Sequence, residues 1–172
     1  MKNTRTVTFK SLPLTLIGKP VKVRDTAPDA ELTANDFSPV KLSSYAGKTR
    51  LINVVYSLET NICDAQTHKF NEEATKLGRE VVVLTISADL PFTQKRWCGA
   101  SGLDNVTTLS DHQDMDFADA YGVHIKERRV TSRAVFVVDR QNVVRYVEYL
   151  TEVAMHPNYD AALQALRSAA DK

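Results

Sequence analysis

The two cysteines, Cys63 and Cys98, are the residues of this sequence best suited to covalent chemistry. A chain of 172 residues can build its own hydrophobic core, so it needs no disulfide for stability. The two thiols are too far apart in sequence for a CxxC dithiol, and neither has a close Cys or His at zinc-finger spacing. We therefore expect no metal site. The count alone leaves two readings open, a pair of buried apolar thiols or a redox pair.

The pattern around Cys63 places this thiol at a helix start. Residues 51–56 form a near-continuous apolar run, which is typical of a central parallel strand. A helix is predicted over residues 61–77, and its apolar stripe includes Cys63 and Phe70. The free backbone N–H groups of a first helical turn favour the thiolate, which is the nucleophilic form of cysteine. The carboxyl edge of a parallel sheet is also where open α/β folds place their sites.

The neighbours of Cys63 both help and oppose this chemistry. Thr60 can act as the helix N-cap, and its hydroxyl can also reach the sulfur or an oxygen of a bound peroxide. Glu59 and Asp64 oppose a thiolate, so a cation from elsewhere in the chain is required. His68 lies about 140° around the helix from Cys63, which argues against a Cys/His hydrolase dyad. The other histidines are predicted to be surface or structural residues: His112, His124 and His156.

The rest of the chain predicts an α/β fold. It has a central mixed sheet flanked by helices and an N-terminal β-hairpin near residues 7–16. Residues 18–48 are predicted to be loops and short strands. Residues 80–87 form a second core strand, and a helix from Pro91 to about residue 100 carries Cys98 near its end. The remaining predicted elements are a strand at 106–109, a helix at 115–121, a hairpin of 134–138 with 143–149, and a helix opening at Pro157. We expect one domain spanning residues 1–172.

Composition excludes several classes of protein. Lys and Arg number 22 against 21 acidic residues, so the chain lacks the basic excess of proteins that bind nucleic acid or anionic membranes. Its apolar runs are far shorter than a membrane span, and residues 1–10 lack the apolar core of a secretory signal. These features predict a cytoplasmic location.

Four segments resemble one known family. SLETNIC (57–63) with HKFN (68–71) is similar to the peroxidatic motif of the thiol peroxidase family, the atypical two-cysteine peroxiredoxins. SADLPF (87–92) with RWCGA (96–100) resembles the segment that holds the family's resolving cysteine. TSRA (131–134) resembles the strand with its active-site arginine, and PNY (157–159) the start of its closing helix. The resemblance covers nearly the whole chain.

This resemblance implies a thioredoxin-like fold and a peroxidase that needs no cofactor. It implies that Cys63 attacks hydrogen peroxide or an organic hydroperoxide, becomes a sulfenic acid, and then forms a disulfide with Cys98. Thr60 and Arg133 would bind and polarise the peroxide, and Arg133 would supply the missing cation. Without the resemblance, an arginine at a strand start predicts a surface ion pair. The family further implies thioredoxin as reductant and a homodimer.

Two residues depart from the family pattern. Tyr56 stands where the family has proline, and Glu59 stands where it has aspartate. Tyrosine restores a backbone donor and adds a phenol, so altered kinetics are expected. One alternative is a non-catalytic redox sensor or binding module with the same fold. A second alternative, a general disulfide oxidoreductase, is disfavoured by the absence of CxxC.

Overall fold

Eleven strands and four α-helices make up residues 4–103 and 106–172, the part of the chain that this computed structural model describes. The strands are β1 (Arg5–Phe9), β2 (Leu12–Ile17), β3 (Glu31–Thr33), β4 (Pro39–Lys41), β5 (Thr49–Val54), β6 (Val81–Ser87), β7 (Thr107–Ser110), β8 (His124–Ile125), β9 (Val130–Thr131), β10 (Ala134–Val138) and β11 (Val144–Tyr149). The α-helices are α1 (Asn61–Thr75), α2 (Pro91–Ser101), α3 (Asp116–Tyr121) and α4 (Tyr159–Ala170), and a short 3₁₀ helix spans Leu42–Tyr45.

A mixed sheet forms the centre of the fold. Within the described residues it has seven strands in the order β11-β10-β5-β6-β7-β3-β4. β5, β6 and β7 are parallel, with α1 and α2 as the crossovers, while β10 pairs antiparallel with β5 and β11. Every residue of β5 is buried, which confirms the central parallel strand predicted from its apolar run. The carboxyl ends of β5 and β6 therefore point toward the starts of α1 and α2.

Helices and loops bury both faces of this sheet. On one face, Leu51 of β5 packs in a cluster with Phe70 of α1 and Leu163 of α4. On the other face, Ile52 packs in a cluster with Phe117 of α3. Neighbouring residues of one strand thus enter opposite cores, as the pleat requires. Each fully buried large apolar side chain contributes about 1.5–3 kcal/mol, so the first cluster holds α1 and α4 against one face of the sheet and the second holds α3 against the other.

A second, smaller sheet confirms the predicted N-terminal hairpin. β1 and β2 pair antiparallel through a two-residue turn, Lys10 and Ser11, which both have positive φ (49° and 68°). This left-handed pair gives the turn the twist that a two-residue hairpin needs. β2 continues through β8 to β9, so the hairpin reaches the segment just before Arg133.

Several predicted boundaries are wrong by a few residues. α4 begins at Tyr159 and not at Pro157, because the Asn158 side chain accepts a hydrogen bond from the Ala161 N–H and caps the helix. α1 ends at Thr75, before the predicted residue 77. α2 ends at Ser101, close to the predicted residue 100, and Gly102, with φ 70°, caps it in the left-handed conformation. No helix in the described ranges is long and apolar enough to cross a membrane.

Glu152 ties the hairpin to the loop after β11. Its carboxylate accepts hydrogen bonds from the Thr8 hydroxyl (2.6 Å) and from the backbone N–H groups of Lys10 (3.0 Å) and Ala154 (3.0 Å). These hydrogen bonds lower the pKa of Glu152 to about 2, and the bond from the Thr8 hydroxyl has the largest effect. Because the pKa of Glu152 is lower in the folded protein than in the unfolded chain, its carboxylate stabilises the fold fully at pH values above the unfolded-state pKa near 4.3. It is lost as the pH falls toward 2.

Glu152→Ala is therefore expected to lower the melting temperature at pH 7 by about 2–4 °C, a small shift because the carboxylate is only partly buried and solvent screens its interactions. The difference from wild type should shrink as the pH is lowered from 5 to 2.5, measured by thermal unfolding followed by circular dichroism. Glu72→Ala removes an exposed carboxylate of α1 and is the control. A Glu152→Ala difference that does not depend on pH in this range would contradict the assignment.

Candidate active site

Cys63 is a buried free thiol in the first turn of α1. Its exposure is 0%, and it packs in an apolar cluster with Val55, Leu58 and Trp97. α1 begins there because Thr60 is extended (φ −97°, ψ 142°), and the Thr60 carbonyl then accepts the first helical bond from the Asp64 N–H. The predicted position of Cys63, at a helix start on the buried face, is confirmed.

Arg133 brings its guanidinium to this sulfur from the other side of the fold. It lies between β9 and β10, is 2% exposed, and its Nη2 donates to Cys63 Sγ at 3.3 Å. Its Nε donates to the Val153 carbonyl (2.9 Å), and its Nη1 donates to Gln66 Oε1 (2.5 Å). Among the described residues no carboxylate forms an ion pair with Arg133. Its positive charge is therefore not neutralised by a local acid and faces the thiol.

A buried polar network holds that guanidinium in place. Gln66 lies one turn after Cys63 on α1. Its Oε1 accepts the hydrogen bond from Arg133, and its Nε2 donates to Asn53 Oδ1 (2.5 Å). Asn53 in turn donates to the hydroxyls of Thr67 (3.1 Å) and Thr85 (3.2 Å). Gln66 and Asn53 were not predicted from the sequence. The signal was an amide at position 53 inside an apolar strand buried on both faces, because such a group must find hydrogen-bond partners.

Thr60 stands beside Arg133 at the mouth of the site. Both residues line a cavity of about 290 Å³, whose walls include the apolar side chains of Phe9, Ile62 and Val153. The Thr60 hydroxyl donates to the Ser57 carbonyl (3.0 Å) and does not cap α1 through its side chain. Its oxygen lone pairs remain able to accept a hydrogen bond. The cavity thus offers an acceptor on Thr60 and a donor on Arg133.

The two carboxylates that were expected to oppose a thiolate have partners elsewhere. Glu59 is exposed and forms an ion pair with Arg96 of α2. Asp64 accepts a hydrogen bond from the Trp97 indole N–H (2.8 Å) and lies 3.7 Å from the imidazole of His68. His68 therefore contacts Asp64, in agreement with its exclusion from a Cys/His dyad.

Asp89 fastens the loop that leads to the site. It follows β6, and its carboxylate accepts hydrogen bonds from the Ser57 hydroxyl (2.7 Å), the Leu58 N–H (2.9 Å) and the Ser87 hydroxyl (2.7 Å). The turn from Ser57 to Thr60 is thereby joined to the segment that opens α2. Asp89 was not predicted from the sequence to have a role.

Tyr56, at the position where the family has proline, forms part of the cavity wall. Its ring stacks on Phe9 with the ring centroids 5.4 Å apart, and its hydroxyl accepts a hydrogen bond from Arg128 (2.9 Å). The phenol therefore joins the N-terminal hairpin to the loop before the site. The expected effect of this tyrosine on the reaction rate stays a prediction.

Cys98 lies in the last turns of α2, as predicted, and is half-buried and unoxidised. It packs at the edge of the apolar cluster that contains Cys63. Its sulfur contacts Thr108 Oγ1 (3.3 Å) and Asn35 Nδ2 (3.7 Å), whereas the sulfur of Cys63 contacts Arg133. The two sulfurs therefore have different partners in the reduced protein.

The chain is similar to known proteins over most of its length. A family model described as Redoxin matches residues 22–163. The thiol peroxidase of Halalkalibacterium halodurans is 54% identical over 163 residues, covering 95% of this chain and 98% of the relative. That of Bacillus subtilis is 52% identical over 162 residues, covering 94% and 96%.

Two solved structures share the fold. A peroxiredoxin-like protein from Aquifex aeolicus superposes with a TM-score of 0.88 at 36% identity, covering 96% of this chain and 97% of the other. A thiol peroxidase from Chromobacterium violaceum gives a TM-score of 0.84 at 24% identity, with 95% of each chain covered. The expected thioredoxin-like fold, with its central mixed sheet and N-terminal hairpin, is confirmed.

Proposed function

Because this chain belongs to the thiol peroxidase family of peroxiredoxins, we propose that it is a thiol-dependent peroxidase with Cys63 as its nucleophile. The single observation that carries this proposal is the buried contact of 3.3 Å between the Arg133 guanidinium and Cys63 Sγ. A guanidinium and a helix start both favour the thiolate form of a cysteine. The relatives at 51–56% identity that are named thiol peroxidases favour this enzyme over the non-catalytic sensor.

In the proposed reaction, the peroxide binds between Thr60 and Arg133. Arg133 donates a hydrogen bond to the peroxide, and the Thr60 oxygen accepts one from the hydroperoxide O–H. The Cys63 thiolate attacks the nearer oxygen, the O–O bond breaks, and the departing oxygen leaves as water or an alcohol after it takes up a proton. Cys63 is left as a sulfenic acid. Arg133 stabilises the negative charge that develops on the departing oxygen.

Cys98 is the proposed resolving residue. Its thiol condenses with the Cys63 sulfenic acid, an S–S bond forms, and the hydroxyl leaves as water. Both thiols are free and pack on one apolar cluster, which supports this pairing. An external dithiol must then return the enzyme to the reduced state.

Thioredoxin is the proposed reductant, and we propose a cytoplasmic homodimer built from one domain per chain. Residues 1–3, 104 and 105 of the proposed 1–172 domain lie outside the described residues. The exposed rings of Phe37 and Phe92, whose centroids are 4.8 Å apart, support self-association. Turnover with thioredoxin and its reductase, compared with turnover with glutathione, tests the reductant. Sedimentation of the reduced protein tests the dimer.

Intact mass after one equivalent of peroxide tests the two cysteine roles. Wild type is expected to lose two hydrogens. Cys98→Ser is expected to stop at a sulfenic acid that dimedone traps, and Cys63→Ser to stay unmodified. A sulfenic acid on Cys98 in the Cys63→Ser variant, or wild type unchanged by peroxide, would contradict the assignment.

A further inference from the structure

The side chains of Cys98, Asn35 and Thr108 form a closed ring of hydrogen bonds. Thr108 of β7 donates its hydroxyl proton to Asn35 Oδ1 at 3.0 Å. Asn35 Nδ2 lies 3.7 Å from Cys98 Sγ and donates to it. Thr108 Oγ1 and Cys98 Sγ are 3.3 Å apart. Each of the three groups therefore contacts the other two.

The direction of the bonds in this ring follows from the proton count. A threonine hydroxyl has one proton, and that of Thr108 is directed to Asn35. The contact between Thr108 and Cys98 must then run from the thiol S–H to the hydroxyl oxygen. The ring is complete only while the sulfur of Cys98 carries its proton.

The surrounding secondary structure holds Thr108 and Asn35 in place. Thr108 is 3% exposed and lies on β7, which pairs with β6. Asn35 lies in the turn between β3 and β4, where the Ala34 N–H donates to the Ser38 carbonyl (2.9 Å) and Phe37 has a positive φ of 69°. Cys98 is half-buried near the end of α2, whereas Cys63 is fully buried, so we expect Cys98 to be the residue that moves when the disulfide forms.

We propose that Asn35 and Thr108 are positioning residues that hold Cys98 in its resting place and thereby slow disulfide formation. This inference rests on the proposed role of Cys98 as the resolving cysteine. In the condensation, the S–O bond of the Cys63 sulfenic acid breaks, the S–S bond forms, and the proton of Cys98 leaves with the hydroxyl as water. The hydrogen bond from the Cys98 thiol to the Thr108 hydroxyl oxygen is necessarily lost in this step. Removal of the ring should therefore speed the step.

The test measures the two chemical steps separately. The single tryptophan, Trp97, directly precedes Cys98, so its fluorescence can follow disulfide formation in a stopped-flow experiment. Rapid quenching with a thiol reagent, followed by mass analysis, gives the rate of disulfide formation independently. The consumption of peroxide gives the rate of the Cys63 step.

Thr108→Val and Asn35→Ala are expected to raise the first-order rate of disulfide formation about two- to tenfold, the range that loss of one hydrogen bond gives. The rate of peroxide attack should stay unchanged. Thr108→Ser keeps the hydroxyl and should react like wild type. Thr107→Val is the matched control, because it makes the same change on the opposite face of β7. Because Cys63 sulfenic acid would persist for a shorter time, peroxide in excess should produce less sulfinic acid in Thr108→Val.

The outcomes separate this inference from the proposed function. A rate of disulfide formation in Thr108→Val equal to or below that of wild type would overturn the role of the ring and leave the peroxidase intact. An increase in Thr108→Ser as large as that in Thr108→Val would assign the effect to packing and would also overturn it. Failure of wild type to form any disulfide would overturn both the ring and the proposed role of Cys98.

Discussion

Replacing Arg133 by methionine is expected to lower the second-order rate of peroxide reduction by about 10²–10³-fold, the usual effect of removing one preorganised donor from a developing oxyanion. Methionine fills a similar length of the buried site but cannot donate to Cys63 Sγ or to a peroxide oxygen. It also leaves Gln66 Oε1 and the Val153 carbonyl without the donor they now have. The rate is measured by stopped-flow consumption of hydrogen peroxide under single-turnover conditions.

Two further variants show whether this loss is specific. Arg133→Lys retains a charge but not the planar fork that bonds three groups at once, so an intermediate rate is expected. Arg50→Met removes another buried arginine, which bonds Asn142 Oδ1 (2.8 Å) and has no contact with Cys63. Arg50→Met should lower stability without changing the rate of the folded fraction. A rate within threefold of wild type in Arg133→Met would contradict the proposed role of this guanidinium.

The position of Cys63 could be predicted because its signals are local. An apolar run, a helical stripe and an N-cap within about twenty residues were enough to place the thiol in a first helical turn. Arg133 carries no such signal, since 70 positions separate it from Cys63 along the chain. Only the family resemblance pointed to it, and the structure brings the two side chains together because β10 pairs with β5, the strand that leads to α1.

The electrostatics of the site could not be derived from local sequence. Glu59 and Asp64 are close to Cys63 in sequence, and from that closeness alone their negative charges are expected to disfavour a thiolate. The fold pairs Glu59 with Arg96 and directs Asp64 to the Trp97 indole, and both of these partners lie on α2. Such pairings depend on how two helices pack, and neither periodicity nor spacing reports that.

Asp89 also makes contacts that are distant along the chain, so it could not be predicted from the sequence, and its loss should matter. An aspartate after a strand commonly stabilises its own turn. The sequence of residues 87–92 therefore does not indicate that Asp89 contacts Ser57 and Leu58, which lie in a loop 32 and 31 positions earlier in the chain. The structure shows a carboxylate that accepts two hydrogen bonds from that loop, from the Ser57 hydroxyl and the Leu58 N–H. Hydrogen bonds to a charged group contribute about 1.5–3 kcal/mol each. Asp89 therefore fixes the turn that presents Thr60.

Asp89→Ala is expected to lower the rate of peroxide reduction about 10- to 100-fold and the free energy of unfolding by about 2–4 kcal/mol, because the freed loop no longer holds Thr60 beside Arg133. Stopped-flow kinetics and urea unfolding measure the two effects. Asp89→Asn keeps an oxygen acceptor and should lose less of both.

Asp29→Ala separates stability from rate. The Asp29 carboxylate accepts the backbone N–H groups of Ala30 (3.0 Å) and Ser43 (2.9 Å) in a different turn. Its removal should lower stability but leave the rate of the folded fraction unchanged. If Asp89→Ala lowered stability but left the rate unchanged, as expected for Asp29→Ala, the loop from Ser57 to Thr60 would keep its geometry without the Asp89 carboxylate. The hydrogen bond from the Thr60 hydroxyl to the Ser57 carbonyl would then be enough to hold that loop. Because that bond lies within the loop and cannot anchor it to β6, we expect the two variants to differ.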